Sequence, residues 1–245
     1  MRQSTEKIYQ YRKGNPYVIA MVPNNARYVL DIGCGAGDNG EILREMGHIV
    51  DGITVSEEER AVAQKIMRYV YVHNLETGLP KELTGKYDVI ILSHVLEHLC
   101  YPQQLLKDIH GILNPAASLI IALPNLMHFR SRWQLLKGNF NYQEYGVWDY
   151  THFRWYTCSS GKKLLEDAGF RVEMTDVSGE IPFEPRLKKV MPAGLRHGIY
   201  RVLKRISRGL FGFQLLYLAS PVEQYTIGNR QIVVNQKAQA FHISP

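Results

Sequence analysis

Residues 29–40 read Val29-Leu30-Asp31-Ile32-Gly33-Cys34-Gly35-Ala36-Gly37-Asp38-Asn39-Gly40. The run from Tyr28 to Ile32 is short, apolar and closed by glycines, which predicts a buried parallel strand ending in a tight loop. Asp38 to Met46 carries Ile42, Leu43 and Met46 at helical spacing, and Gly47 stops it. Strand, glycine loop and helix in this order form the first half of a βαβ unit, whose loop amides can approach a ligand. By themselves, Gly35, Gly37 and Gly40 also fit a dinucleotide-binding oxidoreductase or an ordinary tight turn.

Further strand-like runs cover residues 48–54, 69–72, 87–92, 118–123, 170–177 and 214–219. Helices alternate with them. One starts at Ser56, where Ser56 and Glu59 have capping-box spacing. Another carries Leu105, Leu106, Ile109, Ile112 and Leu113 and is stopped by Asn114-Pro115. A third spans 159–168, capped by Thr157 and stopped by Gly169. The alternation predicts an α/β fold, a doubly wound, Rossmann-like sheet of seven strands with helices on both faces. Its binding crevice lies beyond the strand C-termini.

Of the 245 residues, 45% are hydrophobic and 21% charged, which excludes a disordered or collagen-like chain. Cys34, Cys100 and Cys158 give no disulfide framework and favour a reducing compartment. No secretory leader and no uncharged apolar span of membrane length is evident, so a cytoplasmic protein is expected. The net charge is +6, yet residues 186–208 hold eight basic and no acidic side chains, so the remainder sums to −2. One basic stretch on a near-neutral body does not imply a nucleic-acid-binding surface.

The stretch Val29 to Gly37 resembles the first motif of class I S-adenosylmethionine-dependent methyltransferases. The resemblance implies that Asp31, Gly33, Cys34, Gly35 and Gly37 wrap the methionine portion of that cofactor. It extends through Thr54-Val55, where most members place an acidic residue on the ribose, and through Asn74-Leu75, which would hold and cover the adenine. It ends with Ser93-His94-Val95-Leu96-Glu97-His98-Leu99, in which Ser93 and His94 face the cofactor. It also implies an antiparallel last strand pair. Pro115-Ala116-Ala117 replaces the family's usual Pro-Gly-Gly. His94-x-x-Glu97-His98 matches an inverted zinc motif letter for letter, but the surrounding glycine loops are foreign to such proteases and no metal is expected.

Residues 124–157 form a long aromatic insertion that can close over a substrate. Its end, Asp149-Tyr150-Thr151-His152-Phe153-Arg154-Trp155-Tyr156-Thr157, resembles a signature of the bacterial methyltransferase branch associated with surface-polysaccharide and secondary-metabolite biosynthesis. A hydroxyl acceptor benefits from a general base. His152 is the candidate, with Asp149 as its orienter. Arg130, Trp148, Tyr150 and Arg154 are candidate substrate contacts, Arg154 for an anionic group. A rigid loop in which Asp149, His152 and Arg154 bond each other is the structural alternative.

Leu195, Ile199, Val202, Leu203, Ile206 and Leu210 form one helical stripe, and Arg201, Lys204, Arg205 and Arg208 another. Such a helix can meet an anionic membrane at its inner face, a lipid-linked substrate or a partner subunit, and a homodimer is one expectation. The division expected is a helical or lid segment over 1–27, a methyltransferase domain over 28–221 and an extension over 222–245. Within that domain lie the 124–157 insertion and the basic segment 181–213. The expected function is methyl transfer from S-adenosyl-L-methionine to an oxygen or nitrogen of a small-molecule, sugar or lipid-linked acceptor. An NAD-dependent oxidoreductase and a cofactor-binding protein without turnover are the alternatives.

Overall fold

Strand β1 (Tyr28–Ile32) sits mid-sheet because both of its faces are apolar. Val29, Leu30 and Ile32 have no solvent exposure, and alternation sends Val29 to one core and Leu30 and Ile32 to the other. The computed structural model describes residues 14–179, 181–182 and 190–222, with the backbone of 224–227 and 230–233.

The chain then runs through α2 (Asp38–Glu45), β2 (Ile49–Thr54), α3 (Glu57–Ala63), β3 (Val70–Val72) and β4 (Tyr87–Ser93). Next come α4 (Pro102–Ile109), β5 (Leu113–Pro124), α5 (Phe129–Leu136), α6 (Cys158–Asp167) and β6 (Phe170–Ser178). Helices α7 (Ala193–Ile206) and α8 (Arg208–Phe211) precede β7 (Gln214–Pro221). A short α1 (Pro16–Ile19) precedes β1. The seven-stranded sheet has the order β3-β2-β1-β4-β5-β7-β6. The first five strands are parallel, and β7 is antiparallel to both β5 and β6. The expected α/β sheet of seven strands with an antiparallel end is therefore the observed one. A separate hairpin, β8 (Gln224–Ile227) and β9 (Arg230–Val233), follows.

Local rules account for most element ends. Gly47 stops α2 at a φ of +96°, which only glycine adopts without strain. Thr157 and Ser160 form a closed capping box on α6. The helix expected through Leu113 instead ends in a 3-10 turn at His110–Ile112, and Leu113 already pairs with Tyr87 of β4. The register then jumps to Val89↔Ser118, so Pro115 and Ala116 occupy an exposed irregularity in β5. A proline can sit there because no ladder hydrogen bond is asked of it.

The basic amphipathic stripe is not one continuous helix. Ser207 is extended between α7 and α8, and its hydroxyl accepts from the Leu210 amide. Lys204 pairs with Asp176, and Arg208 donates to the Thr175 carbonyl, both on β6. Part of the basic face is thus anchored to the sheet. Arg186, Lys188 and Lys189 lie outside the described residues, as do 1–13 and 234–245.

Candidate active site

The crossover from β1 to α2 builds the first wall. The amides of Gly33 and Cys34 both donate to the Ile53 carbonyl, at 2.8 and 2.9 Å, pinning the loop to the end of β2. Gly33, Gly35 and Gly37 all have positive φ, at +76°, +52° and +96°. A Cβ on Gly33 would come within 2.5 Å of Val95 Cγ2, and one on Gly37 within 3.2 Å of the Ala63 backbone. A Cβ on Gly35 would meet only Glu59 Oε1, at 3.8 Å. Gly33 and Gly37 are thus fixed by packing, whereas Gly35 leaves an open approach to the backbone. Cys34 is buried, and burial raises its thiol well above the ordinary range.

Asp31 is buried at the end of β1, and its Oδ1 has no hydrogen-bond partner. Burial pushes its carboxyl up to about 7, against the opposing effect of the hydrogen bond from Asn39. A buried carboxylate with a free oxygen is a place where a cationic ligand gains. Asp51, the carboxylate of β2 on the opposite face of the sheet, is already used. It takes both nitrogens of Arg68, at 2.9 and 2.6 Å, and the Tyr87 hydroxyl at 2.7 Å. It is a structural charge and leaves nothing for a ribose.

Thr54, buried at the end of β2, donates its hydroxyl to the Glu59 carboxylate. Sequence reasoning missed Glu59 as a site residue and gave it to the capping box. Ser56 does accept from the Glu59 amide, but the Glu59 side chain turns to Thr54, so the reciprocal half of the box is not made. The signal was a carboxylate one turn into the helix that follows the unusual threonine. Val55 is exposed beside it. Asn74 caps a 3-10 turn, accepting from the Glu76 amide at 3.0 Å, and Leu75 is buried in the core.

A polar chain spans the C-terminal edge of the sheet. Asn15 donates to Ser93 Oγ at 3.1 Å and to Gln214 Oε1 at 2.8 Å, while its own amide donates to Asn39 Oδ1. His94 has a φ of +58° and places Nε2 2.6 Å from Gln214 Oε1 and Nδ1 3.2 Å from Glu97 Oε1. Both ring nitrogens therefore face acceptors, which calls for the imidazolium. Burial opposes that charge, but the contacts with Glu97 and Gln214 outweigh it and raise the pKa. A non-glycine residue at such a φ is uncommon and tends to mark functional loops.

The 124–157 insertion leaves and rejoins the sheet edge at one point, where Asn125 and Tyr156 form a bridge. The Glu97 carbonyl accepts from the amides of Phe153 and Arg154, at 2.9 and 3.1 Å, drawing the end of the insertion onto the end of β4. His152 is thereby buried against His98, their ring centroids 4.6 Å apart. Burial pushes the His152 ring below its ordinary pKa, although Glu97 acts in the other direction.

The His152 amide donates to the Asp149 carbonyl at 3.1 Å, but the Asp149 carboxylate does not bond the His152 ring. That carboxylate accepts from the Thr151 hydroxyl at 2.6 Å, and Thr151 in turn contacts His98 Nδ1 at 2.9 Å, so Asp149 orients His98 rather than His152. His152 Nδ1 faces the Val147 carbonyl at 3.3 Å. Arg154 directs Nε and Nη2 to the Cys100 carbonyl. Mutual bonding of the Asp149, His152 and Arg154 side chains is therefore not the arrangement found. Trp148 is buried against Phe140, and Arg130 and Tyr150 are exposed.

Residues 9–175 match the family described as methyltransferase domain. The chain belongs to this family. The methyltransferase is 27% identical over 169 residues to the ubiquinone biosynthesis O-methyltransferase of Coxiella burnetii, covering 62% of this chain and 70% of that one. To the protein of the same name from Pseudomonas aeruginosa it is 29% identical over 109 residues, covering 40% and 44%. Among solved structures it is similar to a SAM-dependent methyltransferase from Archaeoglobus fulgidus, with a TM-score of 0.57, 22% identity and coverage of 80% and 86%. A putative S-adenosylmethionine-dependent methyltransferase from Listeria monocytogenes gives 0.56, 19% identity and coverage of 85% and 97%. These two likenesses concern the fold.

The methyltransferase is S-adenosylmethionine-dependent, and its own residues fit that cofactor. The unpartnered Asp31 oxygen suits a cationic ligand, and the open side of Gly35 suits close approach. When bound, S-adenosylmethionine supplies an electrophilic methyl group carried on a sulfonium. Among the described residues, no helix is long and apolar enough to cross a membrane.

Proposed function

We propose that this methyltransferase methylates a hydroxyl oxygen of a small-molecule acceptor, and that the acceptor meets the enzyme where Glu97, His98 and His152 converge. That convergence carries the reading. A hydroxyl must lose its proton as it is methylated, and the chain gathers two imidazoles and a carboxylate beside the strand end that the glycine loop adjoins. The lowered pKa of His152 keeps it neutral near pH 7, with a lone pair to offer. The relatives from Coxiella and Pseudomonas, named as O-methyltransferases, agree with oxygen over nitrogen.

Asp31, Gly33, Gly35 and Gly37 hold the methionine end of the cofactor. Thr54 with Glu59 meets the ribose hydroxyls, since Glu59 brings to Thr54 the carboxylate that most of the family carries on the strand itself. Asn74 and Leu75 border the adenine, and Ser93 and His94 close the cofactor side at β4. Trp148 acts by packing the insertion, while Arg130, Tyr150 and the free face of Arg154 border the acceptor. The test is isotope-labelled methyl transfer to cell extracts with mass spectrometry. A labelled product whose methyl sits on nitrogen or carbon would overturn the hydroxyl assignment.

The acceptor is lipid-linked or otherwise amphiphilic. This part rests on α7, where Leu195, Val202 and Ile206 are 56%, 56% and 71% exposed beside the exposed Arg201 and Arg205. Co-sedimentation with anionic vesicles, absent with zwitterionic ones, is the expected result. Equal recovery in both would remove this element of the reading.

A further inference from the structure

Among the described residues, Glu97, His98 and His152 are the one place where three metal-ligating side chains converge, one donor atom from each lying within 4.8 Å of the others. Glu97 has no solvent exposure; its Oε1 faces His94, and its Oε2 has no hydrogen-bond partner. A buried carboxylate oxygen without a donor or cation is costly.

The hydrogen bonds also fix the tautomer of both histidines. The Val147 carbonyl can only accept, so His152 Nδ1 carries its proton there. The Thr151 hydroxyl gives its single hydrogen to Asp149, so toward His98 Nδ1 it accepts. Both rings are therefore Nδ1-protonated, and each retains Nε2 with a lone pair. Imidazoles that bind metals are held in this way, by a carbonyl or a carboxylate behind the ring.

We propose that Glu97, His98 and His152 bind one divalent ion of the zinc class, with its fourth position open to the acceptor oxygen. Two imidazoles and one carboxylate suit such a borderline ion better than magnesium. Tetrahedral donors around zinc stand about 3.4 Å apart, so the three groups draw together by up to about 1.4 Å on binding. The inverted zinc motif in the sequence names only two of the three ligands. The His94 ring is taken by Glu97 and Gln214, and the third ligand comes from the insertion. His152, the ligand this proposal adds, is distant in sequence from the motif.

The ion's role rests on the proposed acceptor side; its binding does not. A hydroxyl on such an ion becomes more acidic and releases its proton to solvent. His152 then assists deprotonation as a ligand and not as the proton's final holder.

The experiment uses the full chain, stripped with a chelator and titrated with Zn²⁺ by calorimetry and with Co²⁺ by visible absorption. One ion per chain and tetrahedral Co²⁺ bands are expected. Loss of the site is expected in His98→Ala, and roughly 10–100-fold weaker binding in Thr151→Val. Thr151 is exposed, so that variant probes the site even if His98→Ala fails to fold. Absence of stoichiometric Zn²⁺ binding, or binding and spectra unchanged in Thr151→Val, would overturn the proposal. A bound ion without hydroxyl methylation would leave the metal site standing and remove the functional reading. Full methylation by the chelated, ion-free protein would remove the ion's role in the reaction and leave the hydroxyl reading standing.

Discussion

Asn15 and Gln214 are joined by a 2.8 Å hydrogen bond across 199 residues of chain. The same Gln214 oxygen accepts from His94 Nε2, and its amide donates to Ser178. Gln214 thus ties the first segment, the β4 loop and β6 together at the sheet's C-terminal edge. Gln214→Ala leaves the His94 N–H without its acceptor and is expected to cost about 1–3 kcal/mol of stability. Urea denaturation measures it.

Asp31 sets a pH dependence. Its pKa is raised from 3.8 to about 7, so the folded protein prefers it protonated. The stability it allows is full below the unfolded value and is lost as pH rises from about 4 through 7. Asp31→Asn should flatten that loss in the ligand-free protein. Cofactor binding runs the other way: a cationic ligand favours ionised Asp31, so affinity for S-adenosylhomocysteine should climb as pH rises through about 7. Titration calorimetry across this range, with an equally steep climb in Asp31→Asn, would contradict the placement.

Gly33 and Gly35 should fail differently. Gly33→Ala puts a Cβ 2.5 Å from Val95 at a φ of +76°, and a stability loss of about 1–3 kcal/mol or more is expected from strain and clash. Gly35→Ala, at a φ of +52°, carries backbone strain but meets no clash, so its shift in Tm should be smaller and its larger effect should fall on cofactor affinity. Thermal melts and ligand titrations on both variants separate the two.

Glu59→Gln should weaken S-adenosylhomocysteine binding by roughly 10–100-fold, the size of a charged hydrogen bond. The fold should persist, because the cap of α3 uses the Glu59 amide and not its side chain. Circular dichroism with titration checks both halves. Undiminished affinity would return Glu59 to a purely structural part.

His152→Ala should lower the single-turnover methyl-transfer rate by roughly 10²–10⁴-fold with cofactor binding nearly intact. Gln at the same position offers no comparable imidazole lone pair and should not rescue the rate. A wild-type chemical rate in His152→Ala would remove this residue from the reaction.

The sequence alone determined what depends on near neighbours along the chain. The apolar run of β1 ends in glycines because the backbone must turn through positive φ there. Gly47 and the Thr157 cap set helix ends, and alternation of strand and helix decided the sheet. Tertiary structure alone decided what depends on partners far apart. Asp51 became structural when the fold brought Arg68 and Tyr87 to it. Glu59 left its capping box because the end of β2 offered it a buried hydroxyl. His152 joined Glu97 and His98 because the Glu97 carbonyl captures the two amides that follow it. Periodicity and capping rules reach about one helical turn, whereas a buried polar group takes whichever partner the folded chain places against it.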